Sequence, residues 1–495
     1  MTISLVLDVA QAMNPDRVAL GAGADTLDTT RLRRLAHGGA SVLRARRVGT
    51  VSFVGVNSPA FPVTLFAGAV AAVPVAPLNY RLAAAQLRDL VARLDRPLVV
   101  ADEEFVPALD GVGAEVVTTG RWLELAAESD VDDGPGPDDD DPAVLLFTSG
   151  TTSEPKCVIL RHRNLESYVF GTVEPGSASV EEAALVSVPP YHVAGVGTVL
   201  TNLWGGRRLL YLSNFTAAEW VRTVVAEGVT FAMVVPTMLA RIVDELDATG
   251  AAVPGLRSLA YGGAPMTPAV LERAMDLMPQ VDFVNAYGLT ETSSTIAVLG
   301  PDDHRTARGS VDPAVRARLR SVGRLIPGIE GAVRDDDGAE LPPGQAGQLW
   351  VRGSQVSGEY AGSGPGLDAH GWFDTHDRAF LDADGFLYIE GRTDDVIIRG
   401  GENIAPSVIE DVIAELAGVS EVAVLGVPDP EWGERIAAVV VPRAGVPLTA
   451  LEVETWARAR LRGSRTPDEI HLRSELPRNE MGKIVRRSLR AELAT

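Results

Sequence analysis

The sequence predicts an α/β protein. We expect a large N-terminal domain of mixed, mostly parallel sheets with flanking helices, a small β-barrel-like subdomain, and a small α+β C-terminal domain. Three observations predict this class. The 495 residues exceed what one hydrophobic core usually serves. Runs rich in Val, Ile and Leu alternate with helical stretches as far as Ser321, a pattern typical of parallel sheets. Short strands separated by turns then replace that alternation.

Apolar runs of strand length define the N-terminal sheets. The predicted strands are Val51–Val56, Leu98–Ala101, Ala143–Phe147, Leu185–Val188, Phe231–Val235 and Val281–Asn285. The helical segments between them include Leu82–Leu94, Ala217–Glu227 and Met238–Leu246. Open parallel sheets bind ligands beyond the carboxyl ends of their strands. Polar residues that directly follow a predicted strand are therefore the first candidates for a site.

The remainder of the chain predicts a smaller architecture. Short strands are expected at Gly347–Arg352, Ala379–Leu381 and Phe386–Glu390, with Asp- and Gly-rich turns between them. The tail predicts helix, strand, strand and helix, at Ser407–Leu416, Val422–Val427, Ile436–Val441 and Ala450–Leu461. The charged junction from Arg392 to Asp395 is the predicted boundary, which gives domains 1–392 and 393–495.

Composition excludes several classes of function. A net charge of −22 argues against a nucleic-acid partner and against anionic membrane surfaces. The most apolar stretch, Leu65 to Pro77, is short and contains Pro74, so we expect core and no membrane span. The N-terminus lacks the basic region of a signal peptide, and a single cysteine, Cys157, suits a reducing compartment. These features predict a cytoplasmic protein.

Lysine usage is the strongest local signal in the chain. Lys and Arg together number 44, but the only lysines are Lys156 and Lys483. Lys is a slim point charge that can enter a crowded oxyanion site where the wide guanidinium of Arg cannot. Lys156 closes a run of small and hydroxyl residues after a predicted strand: Thr148, Ser149, Gly150, Thr151, Thr152, Ser153, Glu154 and Pro155. Such a run offers hydroxyls and backbone N–H groups to a polyphosphate, although it lacks the P-loop spacing.

Two further motifs supply the groups that a nucleotide needs. After the strand ending at Asn285, Tyr287 could stack on a base, Thr290 could donate to a phosphate and Glu291 could hold Mg²⁺. The bare backbone of Tyr261-Gly262-Gly263-Ala264-Pro265 could support a purine. The run Gly371 to Asp377 ends in a carboxylate suited to a ribose diol, and Arg392 follows it.

Together these motifs resemble the adenylate-forming enzymes: acyl-CoA synthetases, adenylation domains of peptide synthetases and beetle luciferases. The resemblance covers nearly the whole chain. It also includes Pro189-Pro190-Tyr191-His192, Arg399-Gly400-Gly401-Glu402-Asn403-Ile404 and Glu431-Trp432-Gly433-Glu434-Arg435. It implies a role for each matching residue. The phosphate clamp would be Thr148, Ser149, Gly150, Thr151, Thr152 and Lys156, and the adenine pocket Gly262, Gly263, Ala264, Pro265, Asn285 and Tyr287.

The resemblance also implies the catalytic set. Thr290 would touch the α-phosphate, Glu291 would bind Mg²⁺, and Asp377 with Arg392 would hold the ribose. Lys483 would bridge the substrate carboxylate and the α-phosphate of ATP. Asp394 would be the hinge about which a mobile C-terminal domain swings between half-reactions, after which Gly400 to Ile404 would help to line the tunnel for an acceptor thiol.

Several assignments have structural alternatives. Arg392 could form a purely structural ion pair, Tyr287 could be core packing, and His192 could line the acyl pocket or be a satisfied core histidine. Relatives usually carry Gly where this chain has Ser153 and Cys157, so the phosphate loop is expected to be stiffer. Thr375-His376-Asp377 replaces the commoner Thr-Gly-Asp. Cys157 itself could be a reactive thiol or a small inert loop residue.

The predicted activity is that of an AMP-forming carboxylate–CoA ligase: ATP adenylates an acid, and CoA then displaces AMP. An acyl carrier protein or an amine could replace CoA, and the acid could be nitrite activated for attack by an arylamine. A nucleotide-binding pseudoenzyme is a further alternative. His192 lies where amino-acid-activating relatives place an Asp, which argues against an α-amino acid substrate. The small apolar stretches Val193–Val199 and Ser293–Ala297 favour a hydrophobic or aromatic monoacid.

Overall fold

The computed structural model describes residues 2–23, 25–131, 134–148, 155–400, 402–443, 445–478 and 484–494. It confirms the predicted α/β class, with mixed, mostly parallel sheets, flanking helices and a separate C-terminal sheet. Within the part of the chain that the structure describes, none of the helices is long and apolar enough to cross a membrane.

The strands, in chain order, are β1 (Val18–Leu20), β2 (Leu27–Asp28), β3 (Thr50–Val54), β4 (Val75–Pro77), β5 (Pro97–Ala101), β6 (Glu115–Thr118), β7 (Pro142–Thr148), β8 (Lys156–Arg161), β9 (Ala183–Val186), β10 (Arg208–Tyr211), β11 (Phe231–Val234), β12 (Ser258–Gly262), β13 (Asp282–Leu289), β14 (Ser294–Leu299), β15 (Arg324–Leu325), β16 (Glu330–Arg334), β17 (Gly347–Arg352), β18 (Glu359–Tyr360), β19 (Gly364–Pro365), β20 (Phe373–Leu381), β21 (Leu387–Arg392), β22 (Ile397–Arg399), β23 (Glu402–Ile404), β24 (Val419–Asp429), β25 (Gly433–Pro442) and β26 (Glu469–Leu472).

The helices are α1 (Ser4–Met13), α2 (Thr29–Ala45), α3 (Ala60–Ala71), α4 (Ala84–Ala92), α5 (Thr119–Glu128), α6 (His162–Thr172), α7 (Val193–Gly205), α8 (Ala217–Ala226), α9 (Pro236–Thr249), α10 (Pro268–Leu277), α11 (Pro301–Gly309), α12 (Pro313–Arg316), α13 (Pro406–Ala414), α14 (Ala450–Arg460) and α15 (Arg486–Leu493).

Two large sheets form the body of the molecule. The first has the order β15-β14-β13-β12-β11-β9-β10-β1-β2, and the second has the order β19-β18-β8-β7-β4-β3-β5-β6. Their central strands are parallel, whereas β13–β14 and β7–β8 are antiparallel pairs. The predicted core segment from Leu65 to Pro77 belongs to α3 and β4, and α3 is buried along nearly all of its length. The hydrophobic effect therefore holds α3 in the interior and away from water.

Two smaller sheets follow. Strands β16, β17, β20 and β21 form an antiparallel sheet in the order β16-β17-β20-β21. From Ile397 onward the chain builds a sheet of its own, β23-β22-β25-β24 with β26 beside β25, around a separate apolar cluster. A separate core is what allows a segment to move as a unit.

The predicted strands are found, but several of them are longer than the sequence indicated, and two of these extensions bear on the candidate site. β13 continues past Asn285 to Leu289 because its second half pairs with the antiparallel strand β14. β20 begins at Phe373 rather than Ala379 because it pairs with both β17 and β21. The extra residues are those of the two predicted nucleotide motifs. Tyr287 and Asp377 therefore lie in strands, which position side chains more rigidly than loops do. Thr290 and Glu291 follow β13 in a short 3-10 helix.

Candidate active site

The candidate site begins where the parallel strands β12 and β13 end side by side. Tyr261 lies opposite Asn285, and Gly262 lies opposite Ala286. A Cβ atom on Gly262 would come within 2.1 Å of the carbonyl oxygen of Ala286. Position 262 therefore requires glycine for the two backbones to approach.

Beyond β12 the chain turns outward. Gly263 has φ +83°, and Gly263, Ala264 and Pro265 are exposed. Beneath them, the buried Tyr261 hydroxyl lies 2.8 Å from Nε2 of His304. Nδ1 of His304 lies 2.7 Å from the carbonyl oxygen of Gly300. The predicted purine shelf is thus an exposed stretch of backbone that follows a buried residue, Tyr261, whose hydroxyl contacts His304.

Asp377 is the centre of the first polar cluster. The Tyr287 hydroxyl donates to Asp377 Oδ2 at 2.5 Å. Arg392 donates to Asp377 Oδ1 at 3.1 Å and to the carbonyl oxygen of Thr375 at 2.8 Å. Asp377 is 6% exposed and stands opposite Arg392 in the β20–β21 pair. The structure therefore brings together three residues that the sequence placed in two separate motifs.

The electrostatics of this cluster fix its protonation state. Burial raises the pKa of the Tyr287 phenol well above its usual value, and the neighbouring Asp377 carboxylate raises it further. Burial opposes the charge on Arg392, but Asp377 outweighs it and raises the pKa of the guanidinium. Tyr287 is therefore a neutral hydrogen-bond donor and Arg392 a fixed cation. The Asp377 contact means that the phenol is tied to the predicted ribose carboxylate.

His376, beside Asp377, has φ +55°, in the left-handed region that favours glycine. Its N–H donates to Asp374 Oδ1 at 2.7 Å, and its carbonyl oxygen accepts from the Thr393 hydroxyl at 3.2 Å. The backbone here has the shape that a glycine would adopt readily.

A second cluster surrounds Glu291. The Tyr360 hydroxyl donates to Glu291 Oε1 at 2.8 Å, and Nζ of Lys156 lies 5.3 Å from the centre of the Tyr360 ring. Burial, with a smaller contribution from Glu291, raises the pKa of the Tyr360 phenol. Tyr360 reaches this position because β18 pairs with β8, the strand that begins at Lys156. Sequence reasoning missed Tyr360, because its two contacts come from distant parts of the chain.

The turn that carries Thr290 and Glu291 has an unusual backbone. Thr290–Thr292 form a short 3-10 helix, and Ser293 and Ser294 follow with φ +55° and +100°. Both serines are buried. Non-glycine residues hold such angles at a cost, and they cluster at functional sites. Gly288 is required opposite this turn, since a Cβ there would meet the Ser294 carbonyl oxygen at 1.7 Å.

The predicted phosphate clamp is described at its two ends. Thr148 ends β7, Lys156 begins β8, and the two residues pair in register. Ser149, Gly150, Thr151 and Thr152 lie outside the described residues, as does Lys483. Cys157 lies in β8 and not in a loop, so that expectation is wrong. It is buried, and burial raises the pKa of its thiol to about 11. A reactive thiolate is therefore disfavoured.

His192 stands immediately before α7. Its ring centroid lies 4.4 Å from that of Tyr191, and Tyr191 packs in turn on Tyr80 at 5.5 Å. Further along α7, Gly197 faces Tyr168 and the Ser294 hydroxyl, which a Cβ would meet at 3.1 and 3.7 Å. The two apolar stretches predicted to line an acyl pocket, Val193–Val199 and Ser293–Ala297, therefore meet at Gly197.

Asp394 lies in a 3-10 turn, Thr393–Asp395, between β21 and β22, and it is exposed. Among the described residues, Ser407 donates across this junction to the carbonyl oxygen of Glu390, and Arg320 pairs across it with Glu415 at 2.8 Å. On the C-terminal side, Arg486 lies 3.6 Å from Asp395.

A magnesium ion is compatible with the Glu291 cluster. Mg²⁺ in nucleotide sites uses one or two protein carboxylates and takes its remaining ligands from phosphate oxygens and water. Glu291 supplies one such carboxylate, in the same cluster as Lys156 of the predicted phosphate clamp. Among the described residues, no group of three or more His, Cys, Asp or Glu could hold a metal by itself.

Two family models match this chain. The family model described as AMP-binding enzyme matches residues 7–361. The model described as AMP-binding enzyme C-terminal domain matches residues 408–483.

Individual relatives match over most of their length. A feruloyl-CoA synthase from Amycolatopsis sp is 34% identical over 493 residues, which is 97% of this chain and 96% of the relative. The fatty acid–[acyl-carrier-protein] ligase ScoC of Streptomyces coeruleorubidus is 31% identical over 455 residues, 89% of this chain and 86% of that protein. The crystal structure of ATP-bound MatB from Rhodopseudomonas palustris is 26% identical, covers 100% of this chain and 99% of its own, and has a TM-score of 0.89.

Proposed function

This chain belongs to the family of AMP-binding enzymes, and we propose that it is a carboxylate–CoA ligase. Acid and ATP would give an acyl adenylate and pyrophosphate, and CoA would then displace AMP. The observation that carries the proposal is the presence of two clusters toward the carboxyl end of β13: Glu291 with Tyr360 and Lys156, and Asp377 with Tyr287 and Arg392. Phosphate and ribose each find complementary groups there.

In the first step, a carboxylate oxygen of the acid forms a bond to the α-phosphorus of ATP. The bond between that phosphorus and the bridging oxygen breaks, and pyrophosphate leaves with the electron pair. Two anions must approach each other, so fixed positive charge and donors are needed where their oxygens meet. We assign this role to Lys483 and to the Thr290 hydroxyl, while Lys156 stays with the departing phosphates.

The remaining residues bind and orient. Asp377 would accept hydrogen bonds from the ribose hydroxyls, with Arg392 and Tyr287 fixing its carboxylate. The shelf from Gly262 to Pro265 and Asn285 would hold the adenine. Mg²⁺ bound through Glu291 would neutralise phosphate charge. His192 would line the acyl pocket. Each of these roles is a proposal that rests on the positions described above.

The second step needs access for an acceptor. The sulfur of CoA would bond to the acyl carbon, AMP would leave, and the thiol proton would pass to solvent. We propose that the segment after Asp394 swings to admit CoA, with domains 1–392 and 393–495 as the moving parts. The separate C-terminal sheet and the exposed Asp394 support this division.

The likeness to the feruloyl-CoA synthase supports CoA as the acceptor and an aromatic acid as the substrate. The small apolar residues of α7 near Gly197 agree with a hydrophobic or aromatic monoacid. A second candidate acceptor is an acyl carrier protein, because one relative is such a ligase. Ile398 and Trp432, which are 57% and 46% exposed on the C-terminal sheet, offer apolar surface that a carrier protein could contact.

The decisive experiment measures AMP release from Mg·ATP with a panel of acids, each with and without CoA. The panel includes aromatic and fatty acids, and nitrite with an arylamine. AMP and acyl-CoA that appear together with one acid would establish the ligase and its substrate. Adenylate formation that ignores CoA but responds to a phosphopantetheinylated carrier protein or an amine would reassign the acceptor. ATP binding without AMP under every condition would support a pseudoenzyme.

A further inference from the structure

The turn between β13 and β14 carries Thr290 and Glu291 in a backbone form that its own sequence does not favour. Ser293 and Ser294 both have positive φ without being glycine, and such conformations persist only where the surroundings over-determine them. Within the turn, the Thr292 hydroxyl accepts from the N–H of Leu289 at 2.9 Å and donates to the carbonyl oxygen of Ser294 at 2.9 Å. These bonds close the turn locally but leave other carbonyl groups to be satisfied.

Gln355 supplies the missing donors. Its side-chain Nε2 lies 3.0 Å from the carbonyl oxygen of Thr292 and 2.8 Å from that of Thr295. These carbonyls flank the two strained serines. Because both partners are acceptors, the amide nitrogen and not the oxygen must face them. Gln355 is 4% exposed, so water does not readily replace it.

The residues after Gln355 hold the other side of the turn. The N–H groups of Ser357 and Gly358 donate to the carbonyl oxygen of Glu291 at 2.8 and 3.1 Å. The Tyr360 hydroxyl donates to the Glu291 carboxylate. The segment 355–360 therefore contacts the turn at Glu291 and at the residues that follow it, through side chain and main chain.

We propose that Gln355 is a positioning residue for adenylation. Its amide holds the turn in the strained form that places the Thr290 hydroxyl and the Glu291 carboxylate toward the nucleotide. In the contacts given above, Gln355 touches neither Thr290 nor the Glu291 carboxylate. It acts on them through the main chain of the turn, whose Thr292 and Thr295 carbonyl groups it contacts. The inference rests on the proposed function, since it assigns Gln355 a place in that reaction.

The alternative is a purely structural role, in which Gln355 satisfies two buried carbonyls and nothing more. Both roles predict a loss of stability when the amide is removed. Only the positioning role predicts that molecules which do fold turn over slowly and use Mg²⁺ poorly, because small displacements of a catalytic group are costly.

The test is Gln355→Met, which keeps the length of the side chain and removes both donors. We expect kcat for acid-dependent exchange of pyrophosphate into ATP to fall by about 10²-fold, with the KM for ATP changed much less. The Mg²⁺ concentration that gives half-maximal rate should rise. The control is Gln280→Met, because Gln280 is an exposed glutamine that donates to the carbonyl oxygen of Val253 at 3.0 Å, far from these clusters in the sequence.

Both variants should melt at lower temperature, but only Gln355→Met should lose kcat per folded molecule. A Gln355→Met protein whose kcat and Mg²⁺ requirement stay within about twofold of the wild type overturns the proposal. If that variant is not recovered folded, Thr292→Val removes the hydroxyl that closes the same turn and should show the same loss of kcat, and unchanged kcat there would count equally against the proposal.

Failure of the proposed function looks different. If the wild-type protein exchanges pyrophosphate into ATP with none of the acids tested, the ligase assignment is contradicted, whatever the variants do. In that case, calorimetric binding of Mg·ATP and of ATP in EDTA still tests Gln355. Loss of the metal-dependent gain in affinity in Gln355→Met supports a positioning role, whereas an unchanged gain contradicts it.

Discussion

The turn after β13 and the junction after β21 both present acidic residues with proposed roles in the reaction, yet they are held in opposite ways. Glu291 is fixed by hydrogen bonds from uncharged donors, the N–H groups of Ser357 and Gly358 and the hydroxyl of Tyr360. Asp394 is exposed, and its surroundings are joined by ion pairs such as Arg320–Glu415, whose side chains are 44% and 50% exposed. Exposed pairs contribute little and exchange readily with water. The difference supports the proposal that the C-terminal domain moves at this junction while the turn after β13 stays in place.

Removing the positive charge of Lys483, which the C-terminal domain is proposed to bring to the reacting atoms, should have the largest effect on activity. Lys483→Ala is expected to lower the rate of adenylation by about 10²–10³-fold, as when one preorganised oxyanion donor is lost. Lys483→Arg should fail nearly as badly, because the planar fork does not fit the space of an ammonium. Adenylation is followed as pyrophosphate exchange, with Arg487→Ala as a control that removes a neighbouring exposed cation. Near-normal exchange in both Lys483 variants would contradict the assignment.

Acid should lower the stability of the N-terminal domain through His162. This residue is buried and accepts a hydrogen bond from the N–H of Ile3 at 3.3 Å. Burial lowers the pKa of its imidazole to about 4, against about 6.5 in an unfolded chain. The neutral form therefore stabilises the fold fully above pH 6.5, and this contribution is lost as the pH falls toward 4. The integrated loss is about 3 kcal/mol, of which about 2 kcal/mol is lost by pH 5.

The measurement compares the free energy of unfolding of the wild type and of His162→Gln at pH 7.5 and pH 5. The variant cannot titrate at this position, so the pH dependence should shrink by about 2 kcal/mol. Equal pH dependence in the two proteins would mean that His162 is not the group that titrates.

A change in the ribose cluster should have a smaller effect than a change at Lys483, and the effect should be confined to nucleotide binding. Asp377→Asn keeps the shape of the side chain but removes the charge that Arg392 and Tyr287 contact. Hydrogen bonds to a charged group contribute about 1.5–3 kcal/mol, so we expect the KM for ATP to rise by about 10–100-fold. Asp374→Asn, on the same strand, is the control, because an amide oxygen can still accept from the N–H of His376. A KM change equal in both variants would argue against a ribose contact.

Loosening the junction should have the smallest effect. Arg320→Ala removes the half-exposed pair with Glu415 and should change the free energy of unfolding by less than about 1 kcal/mol. Thermal melting together with pyrophosphate exchange checks this, and Glu415→Gln should behave alike. A loss of several kcal/mol would show that the junction is fixed as firmly as the turn after β13.

The sequence was sufficient for the fold class, because the periodicities of strands and helices can be recognised without knowledge of tertiary contacts. The two lysines among many arginines can be recognised in the same way. It also named Asp377, Tyr287 and Arg392, which the structure joins in one cluster. It could not find Tyr360 or Gln355. Their roles come from strand pairing and from hydrogen bonds to residues sixty or more positions away, and an isolated Gln or Tyr carries no local pattern.

Element lengths failed for a related reason. β13 and β20 extend through the predicted motifs because partner strands pair with them. Hydrophobic periodicity records which face is buried and does not record which neighbour lies alongside. The site was therefore expected in loops, whereas Asp377 and Tyr287 lie within strands.

The burial of Cys157 has a consequence for chemoselectivity. An acyl adenylate acylates any accessible thiolate, and the sole thiol of the chain lies next to Lys156, beside the proposed phosphate site. With a thiol pKa of about 11, roughly three molecules in ten thousand would carry a thiolate at pH 7.5. The enzyme is thus a poor target for its own intermediate. With CoA as the proposed acceptor, we expect little competing self-acylation, and thiol reagents used in a turnover assay should report on CoA and not on the protein.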